Sequence, residues 1–325
     1  MTAAALQLDK LSVTLATDSG SVPVVRDLSF RVEPGGTLGI VGESGCGKSM
    51  TALAAMRLLP DSARVSGRVL LQGEDLMTLD ETAMCAMRGN RIAMVFQEPM
   101  TALNPAHTVG HQVAESLRVH GRMDGAAAWA EAARLLALVG IPKAGQRIND
   151  HPHQLSGGQR QRVVIAIALA CTPAVLIADE PTTALDVTVQ AQILDLLDRL
   201  VADLGMALVL ISHDLGVIGR LCDDVVVMYA GEAVEHARSA AIFEAPSHPY
   251  TRGLFGALPQ AQRAAGQRLY TIPGVVPAPT ELPPGCKFAK RCDRAVDACR
   301  AAPPLLRDLG QGHLARCIRA GESMS

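Results

Sequence analysis

Gly42-Glu43-Ser44-Gly45-Cys46-Gly47-Lys48-Ser49 is the stretch that decides the fold. It has the G-x-x-x-x-G-K-[ST] spacing of a P-loop. An apolar run, Leu38-Gly39-Ile40-Val41, comes before it, and helix-compatible sequence over 50–59 follows. Strand, loop and helix in that order are the context the motif requires. The glycines let backbone N–H groups converge on phosphate oxygens, and the helix N-terminus adds a fixed positive potential. Lys48 can reach the β- and γ-phosphates, and the Ser49 hydroxyl can ligate Mg²⁺. All eight residues, Gly42, Glu43, Ser44, Gly45, Cys46, Gly47, Lys48 and Ser49, are therefore expected to line a nucleoside triphosphate.

A second anion-reading motif, Leu155-Ser156-Gly157-Gly158-Gln159, lies further along. Ser156 and two glycines at a helix start make an N-terminal anion site. Beyond it, Val175-Leu176-Ile177-Ala178-Asp179-Glu180 is an apolar strand ending in two carboxylates. Asp179 is expected to orient the magnesium shell, and Glu180 to polarise the attacking water as general base. Ile211-Ser212-His213-Asp214 sets a histidine after another apolar strand.

Working outward, the opening segment reads as strands. Leu11, Val13 and Leu15 alternate with polar or small residues, and a further extended run covers 22–30. Residues 108–140 are rich in Ala, Leu, Glu and Arg at helical spacing, as in Ala132, Leu135, Leu136 and Val139. A helical insertion is placed at about residues 98–162. Strands at 175–178, 207–211 and 225–228, with a helix over 187–204 between the first two, imply an α/β core around a mostly parallel sheet. A linker-like region starts at Pro246. After Pro273 the chain is proline-rich and nearly aperiodic, so this tail lacks the makings of an apolar core of its own.

Composition narrows the function classes. The 325 residues allow one large domain with an attachment, or two domains. A net charge of -2 and only 3% aromatic residues argue against nucleic-acid binding. The longest apolar region, 163–178, is interrupted by Cys171-Thr172-Pro173 and is too short to span a bilayer. Met1-Thr2-Ala3-Ala4-Ala5 has no basic segment ahead of an apolar one, so secretion is not indicated and work on the cytoplasmic side is expected.

Together these motifs resemble the ATP-binding subunits of ABC transporters along essentially the whole chain. The resemblance makes residues 42–49 the Walker A motif and Gln97 the Q-loop glutamine, which senses Mg²⁺ and the attacking water. Ser156-Gly157-Gly158-Gln159 resembles the signature, Asp179-Glu180 the Walker B end, Ala184-Leu185-Asp186 the D-loop and His213 the switch histidine. In this family the signature of one subunit closes on the Walker A of another, so that two ATP molecules lie between two cassettes. Catalysis is then expected from Glu180, His213, Gln97 and Lys48. ATP contacts are expected from 42–49, Gln97, Ser156, Gly157, Gly158, Gln159, Asp179 and Asp186, and Mg²⁺ contacts from Ser49, Gln97 and Asp179. One departure concerns the base: Leu15 stands where related transporters stack adenine on an aromatic ring, and the missing stacking is worth about 0.5–1.5 kcal/mol.

Eight cysteines are spread unevenly, with Cys286, Cys292, Cys299 and Cys317 crowding the end. In a reducing compartment such a cluster favours a metal site over disulfides. Four thiolates suit one zinc ion or one [4Fe–4S] cluster. The segment Gly285-Cys286-Lys287-Phe288-Ala289-Lys290-Arg291-Cys292 resembles the C-terminal extension of oligopeptide and dipeptide transporter ATPases, in particular the D-type subunit. That resemblance implies a [4Fe–4S] cluster on the four cysteines, with zinc as the alternative occupant and His313 as a hydrogen-bonding neighbour. The expectation is thus an α/β P-loop NTPase core of ABC ATPase type (1–250), with an inserted helical subdomain and an irregular, metal-stabilised extension (251–325).

As the resemblance has it, the chain hydrolyses ATP to drive a membrane importer for di- or oligopeptides. Nickel and glutathione importers share this ATPase type and stay open as cargo readings. The implied partners are a second homologous ATPase, two transmembrane permeases and an extracytoplasmic substrate-binding protein, with the chain peripheral on the cytoplasmic face of the inner membrane. A soluble ABC ATPase of DNA repair or translation would carry a long coiled-coil insertion or two cassettes, which 325 residues do not fit. A catalytically silent transporter subunit would not need both Glu180 and His213.

Overall fold

The computed structural model describes residues 3–18, 20–183, 185–257 and 271–322. Its strands are β1 (Leu6–Thr17), β2 (Gly20–Val32), β3 (Thr37–Val41), β4 (Ala63–Leu71), β5 (Glu74–Asp75), β6 (Ile92–Val95), β7 (Val175–Asp179), β8 (Ala207–Ile211), β9 (Asp224–Tyr229), β10 (Glu232–Arg238), β11 (Arg307–Asp308) and β12 (Leu314–Ala315). Its helices are α1 (Lys48–Ala55), α2 (Glu81–Met87), α3 (Pro99–Ala102), α4 (Val109–Val119), α5 (Gly125–Leu138), α6 (Ala144–Arg147), α7 (Gly157–Leu169), α8 (Val187–Leu204), α9 (Leu215–Leu221), α10 (Ser239–Glu244), α11 (Pro249–Gly256) and α12 (Asp297–Ala301). The chain divides into two units, one of 1–7, 31–37 and 69–211, the other of 8–30, 38–68 and 212–325.

In the first unit, β6, β7 and β8 run parallel, with Met94 beside Ile177 and Ile177 beside Val209. Every residue of the three strands is buried and all but Asp179, the last of β7, are apolar, the pattern of a strand covered on both faces. Helices α3 to α7 form the inserted helical subdomain, with α4 packed on α5 and both on α7. Helix α4 buries Val109, Val113 and Leu117, and α5 buries Ala128, Ala132 and Leu135, spacings that put one apolar stripe on each helix. Asp186 caps the start of α8, and Gly205, at φ 63°, ends it in the left-handed conformation.

In the second unit, β3 lies parallel to β9, with Ile40 beside Val226. Strand β10 continues antiparallel from β9. The tail then adds two short strands: β12 pairs with β10 and β11 with β12. Among the described residues no helix is long and apolar enough to cross a membrane.

The expected metal-stabilised extension needs correcting. Cys286, Cys292, Cys299 and Cys317 all border one apolar cavity. Yet among the described residues no group of three or more His, Cys, Asp or Glu side chains could hold a metal ion. Neither the [4Fe–4S] cluster nor its zinc alternative therefore has a ligand set here. All eight cysteines are free thiols. Burial pushes the Cys286, Cys292 and Cys317 thiols up, Cys292 to about 11.

Other forces fasten the tail. Arg316 N–H bonds the Val234 carbonyl at 2.8 Å beside the β10–β12 pairing. Tyr229, Tyr250 and Phe288 form a triangle of rings, with centroids 4.7, 5.2 and 5.4 Å apart. The fully buried Glu235 carboxylate accepts Ser247 N–H at 2.6 Å and His248 N–H at 2.9 Å, and lies 2.7 Å from His313 Nε2. His313 thus serves a carboxylate of β10.

Candidate nucleotide site

The expected phosphate loop, residues 42–49, belongs to the second unit. Buried β3 delivers Gly42, whose φ is 154° and whose notional Cβ would fall 2.3 Å from the Met228 carbonyl oxygen. Gly47 has φ 100°, and a Cβ there would stand 2.7 Å from the Val24 carbonyl oxygen. Only glycine suits both places. Gly47 is also the N-cap of α1, and no side chain caps that helix. Its first backbone N–H groups are thereby left for an anion. Buried Lys48 holds its ammonium 2.8 Å from the Gly42 carbonyl and 3.2 Å from that of Glu43, folded back on the loop it serves. Ser49 is half-buried in the first turn, Cys46 is fully buried, and Ser44 and Gly45 are exposed.

Also in this unit, Ser212 N–H bonds the Ile40 carbonyl at 3.2 Å and so ties the segment carrying His213 to β3. Ser212 Oγ accepts Asp214 N–H, and Asp214 caps α9 through the N–H groups of Gly216 and Val217. His213 sits exposed between these two anchors. Leu15 is half-buried on β1.

The acidic residues belong to the first unit. Asp179 ends β7 and is 4% exposed. Glu180 has φ 46°, a left-handed conformation costing a residue with a Cβ about 1–3 kcal/mol. Its N–H bonds the Ile211 carbonyl at 3.0 Å, which holds the turn. One carboxylate oxygen of Glu180 accepts both Gln97 Nε2 at 3.2 Å and Thr183 Oγ1 at 2.9 Å. The geometry brings together Gln97 and Glu180, two expected catalytic groups 83 residues apart in sequence. Thr183 was not expected; a hydroxyl three residues after the carboxylate, past Pro181, was the available signal.

The signature opens α7. Ser156 Oγ accepts Gln159 N–H and Gln159 Oε1 accepts Ser156 N–H, a reciprocal capping box. Gly158 is set by packing, because a Cβ there would meet Val189 Cγ1 at 2.5 Å. Asp186 caps α8 by accepting Val189 N–H at 2.9 Å. Ala184, the first residue of the expected D-loop, lies outside the described residues.

The expected Mg²⁺ donors, the Ser49 hydroxyl, the Gln97 amide oxygen and the Asp179 carboxylate, are hard oxygens suited to that ion. Two further contacts of the loop escaped the sequence reading: Glu43 N–H donates to Tyr250 Oη at 2.8 Å, and the Glu43 carboxylate pairs with Arg291.

Comparison with known proteins gives the family. Residues 25–183 match the ABC transporter family model, and residues 234–299 match that of the oligopeptide/dipeptide transporter C-terminal region. A peptide ABC transporter ATP-binding protein of Sinorhizobium fredii is 51% identical over 91% of this chain and 89% of its own length. A peptide import ATP-binding protein of Brucella abortus is 48% identical over 97% of this chain and 96% of its own length. Among solved structures, the dimeric ATP-binding cassette MJ0796 bound to ADP and Pi matches with TM-score 0.64 and 28% identity, covering 72% of this chain and 98% of that one. CbiO1 of Clostridium perfringens matches with TM-score 0.63 and 25% identity, covering 75% of this chain and 92% of that one. This chain belongs to the family of peptide ABC transporter ATP-binding proteins, subunits that bind and hydrolyse ATP.

Proposed function

We propose that the chain powers a membrane importer of di- or oligopeptides by hydrolysing ATP. The observation that carries the chemistry is Glu180, held in a strained turn at the end of a buried strand with one carboxylate oxygen bonded to Gln97 and Thr183. A carboxylate so oriented suits the polarisation of an attacking water. Lys48 and the N–H groups of residues 42–49 take the phosphates, and His213 approaches the γ-phosphate. By motif, Ser49, Gln97 and Asp179 are the residues that would hold Mg²⁺, which would neutralise developing phosphate charge. Ser156, Gly157, Gly158, Gln159 and Asp186 complete the ATP site of a neighbouring cassette.

The working division is a nucleotide-binding domain over 1–250 and an extension over 251–325. The partners are a second, homologous ATPase, two permeases and an extracytoplasmic binding protein, with the chain peripheral on the cytoplasmic face of the inner membrane. Likeness to a cassette solved as a dimer supports pairing of cassettes, and relatives named for peptide import support the cargo.

The test is ATPase activity of the purified, reconstituted transporter against di- and oligopeptides, nickel and glutathione, alongside the isolated chain. Stimulation by peptides alone, with little turnover by the isolated chain, is expected. Stimulation by nickel or glutathione and not by peptides would reassign the cargo. A native mass showing two copies of this chain and no second ATPase would overturn the heteromeric pairing.

A further inference from the structure

Glu43 puts a carboxylate in a loop whose task is to face phosphates. That charge is fully engaged: Arg291 donates to it with both terminal nitrogens, Nη1 at 2.6 Å and Nη2 at 3.0 Å. The two residues are 248 positions apart in sequence, and Arg291 comes from the Cys-rich extension. The Arg291 side chain is only 5% exposed, against 30% for Glu43. Further contacts hold the guanidinium, among them a hydrogen bond from Nη1 to Tyr229 Oη at 3.5 Å. Its Nε donates to the Pro273 carbonyl at 2.9 Å, and its centre stands 5.7 Å from the Tyr229 ring and 5.9 Å from the Phe288 ring. Tyr250, at the start of α11, accepts the Glu43 N–H. One loop residue is thus held by side chain and backbone together.

An ion pair that only fastened a tail could use any surface carboxylate. This one uses a residue inside the phosphate loop, where an uncompensated negative charge would repel a triphosphate. A planar, bidentate guanidinium both cancels that charge and sets its direction, which a point charge does not. Given residues 42–49 as the triphosphate loop proposed above, we propose that Arg291 is a positioning residue of the nucleotide site: it neutralises and orients Glu43, so that ATP affinity depends on the C-terminal extension. The extension is then part of the nucleotide-binding apparatus.

The test combines ATP calorimetry on the full chain with KM and kcat on the assembled transporter. Arg291→Met keeps an apolar stem between the rings and removes the charge; ATP affinity should fall about tenfold, the change appearing in KM and not in kcat. Adding Glu43→Gln to Arg291→Met should restore affinity to within about threefold of the native chain, because the unpaired carboxylate is gone. A purely structural Arg291 would not be rescued by neutralising Glu43, so failure of the double variant to recover binding would overturn the proposal. If Arg291→Met does not fold, Glu43→Gln alone decides: it leaves a guanidinium beside the loop and should tighten ATP binding, whereas unchanged or weaker binding would overturn the proposal. Lys48→Ala separates the two possible failures. Unchanged ATP affinity in that variant would refute the loop assignment itself, while a loss there with none in Arg291→Met would refute only the role of Arg291.

Discussion

Gln97 donates its side-chain amide to the carboxylate of Glu180 across 3.2 Å, linking the segment that leads into the helical subdomain to the end of β7. The same oxygen takes the Thr183 hydroxyl, so the carboxylate cannot turn without breaking two bonds. Movement of the Gln97 segment would therefore reach Glu180 directly.

Glu180→Gln keeps the approximate shape of the side chain and removes the proposed base. ATP binding should persist while hydrolysis in the assembled transporter falls by about 10² or more. Single-turnover hydrolysis beside equilibrium ATP binding checks this; a native hydrolysis rate would refute the assigned role. Thr183→Val should cost much less, since Gln97 still orients the carboxylate.

Gly158→Ala tests the signature through its packing. The added methyl would meet Val189 Cγ1 at 2.5 Å, so α7 and α8 must shift. Overpacking of this kind costs about 1–3 kcal/mol. A lowered melting temperature is expected, together with impaired turnover in the assembled transporter. ATP affinity of the isolated chain should change little, because the variant leaves residues 42–49 untouched. Calorimetry on the isolated chain decides.

Some of this arrangement was legible in the sequence for physical reasons. A parallel strand covered on both faces must be apolar throughout, so Asp179 and Glu180 stand out at the end of β7. The cap Asp186 and the left-handed Gly205 bracket α8, and the expected helix over 187–204 has those bounds. The Glu43–Arg291 pair was not legible. Glu43 fills a position of the loop motif where any residue is allowed, and its partner is far away in the chain. Strands β11 and β12 have two residues each, too few to show alternation. The four tail cysteines invited a metal centre, but sequence spacing does not place side chains around a common ion.

Leu15→Phe should tighten ATP binding if this position on β1 meets adenine. A gain of about 0.5–1.5 kcal/mol is expected from ring stacking, or about a two- to tenfold lower Kd. Discrimination between ATP and pyrimidine triphosphates should sharpen in parallel. Equal affinity of the variant and the native chain for ATP would place the base elsewhere.

His248 makes the stability of the second unit depend on pH. Burial holds its imidazole down to about 4, against the attraction of Glu235 and with Arg316 and Arg252 nearby. Unfolding releases the ring to an ordinary value near 6.5. Between the two values the unfolded chain binds a proton that the folded chain refuses, so stability is lost as pH falls through that window. Glu235 acts in the same direction at lower pH. Burial alone would raise its pKa, but the hydrogen bond with His313, the next largest influence, and the others it accepts leave it lowered, so its contribution is present above about 4.5 and fades in stronger acid. For His248 the full effect is about 3 kcal/mol at most. Its Nδ1 accepts Tyr250 N–H at 3.1 Å at the start of α11. His248→Asn keeps an acceptor for that N–H and removes the titration. Chemical denaturation from pH 7 to pH 4 should show a falling stability for the native chain and a flatter line for His248→Asn, and equal slopes would rule out His248 as the titrating group.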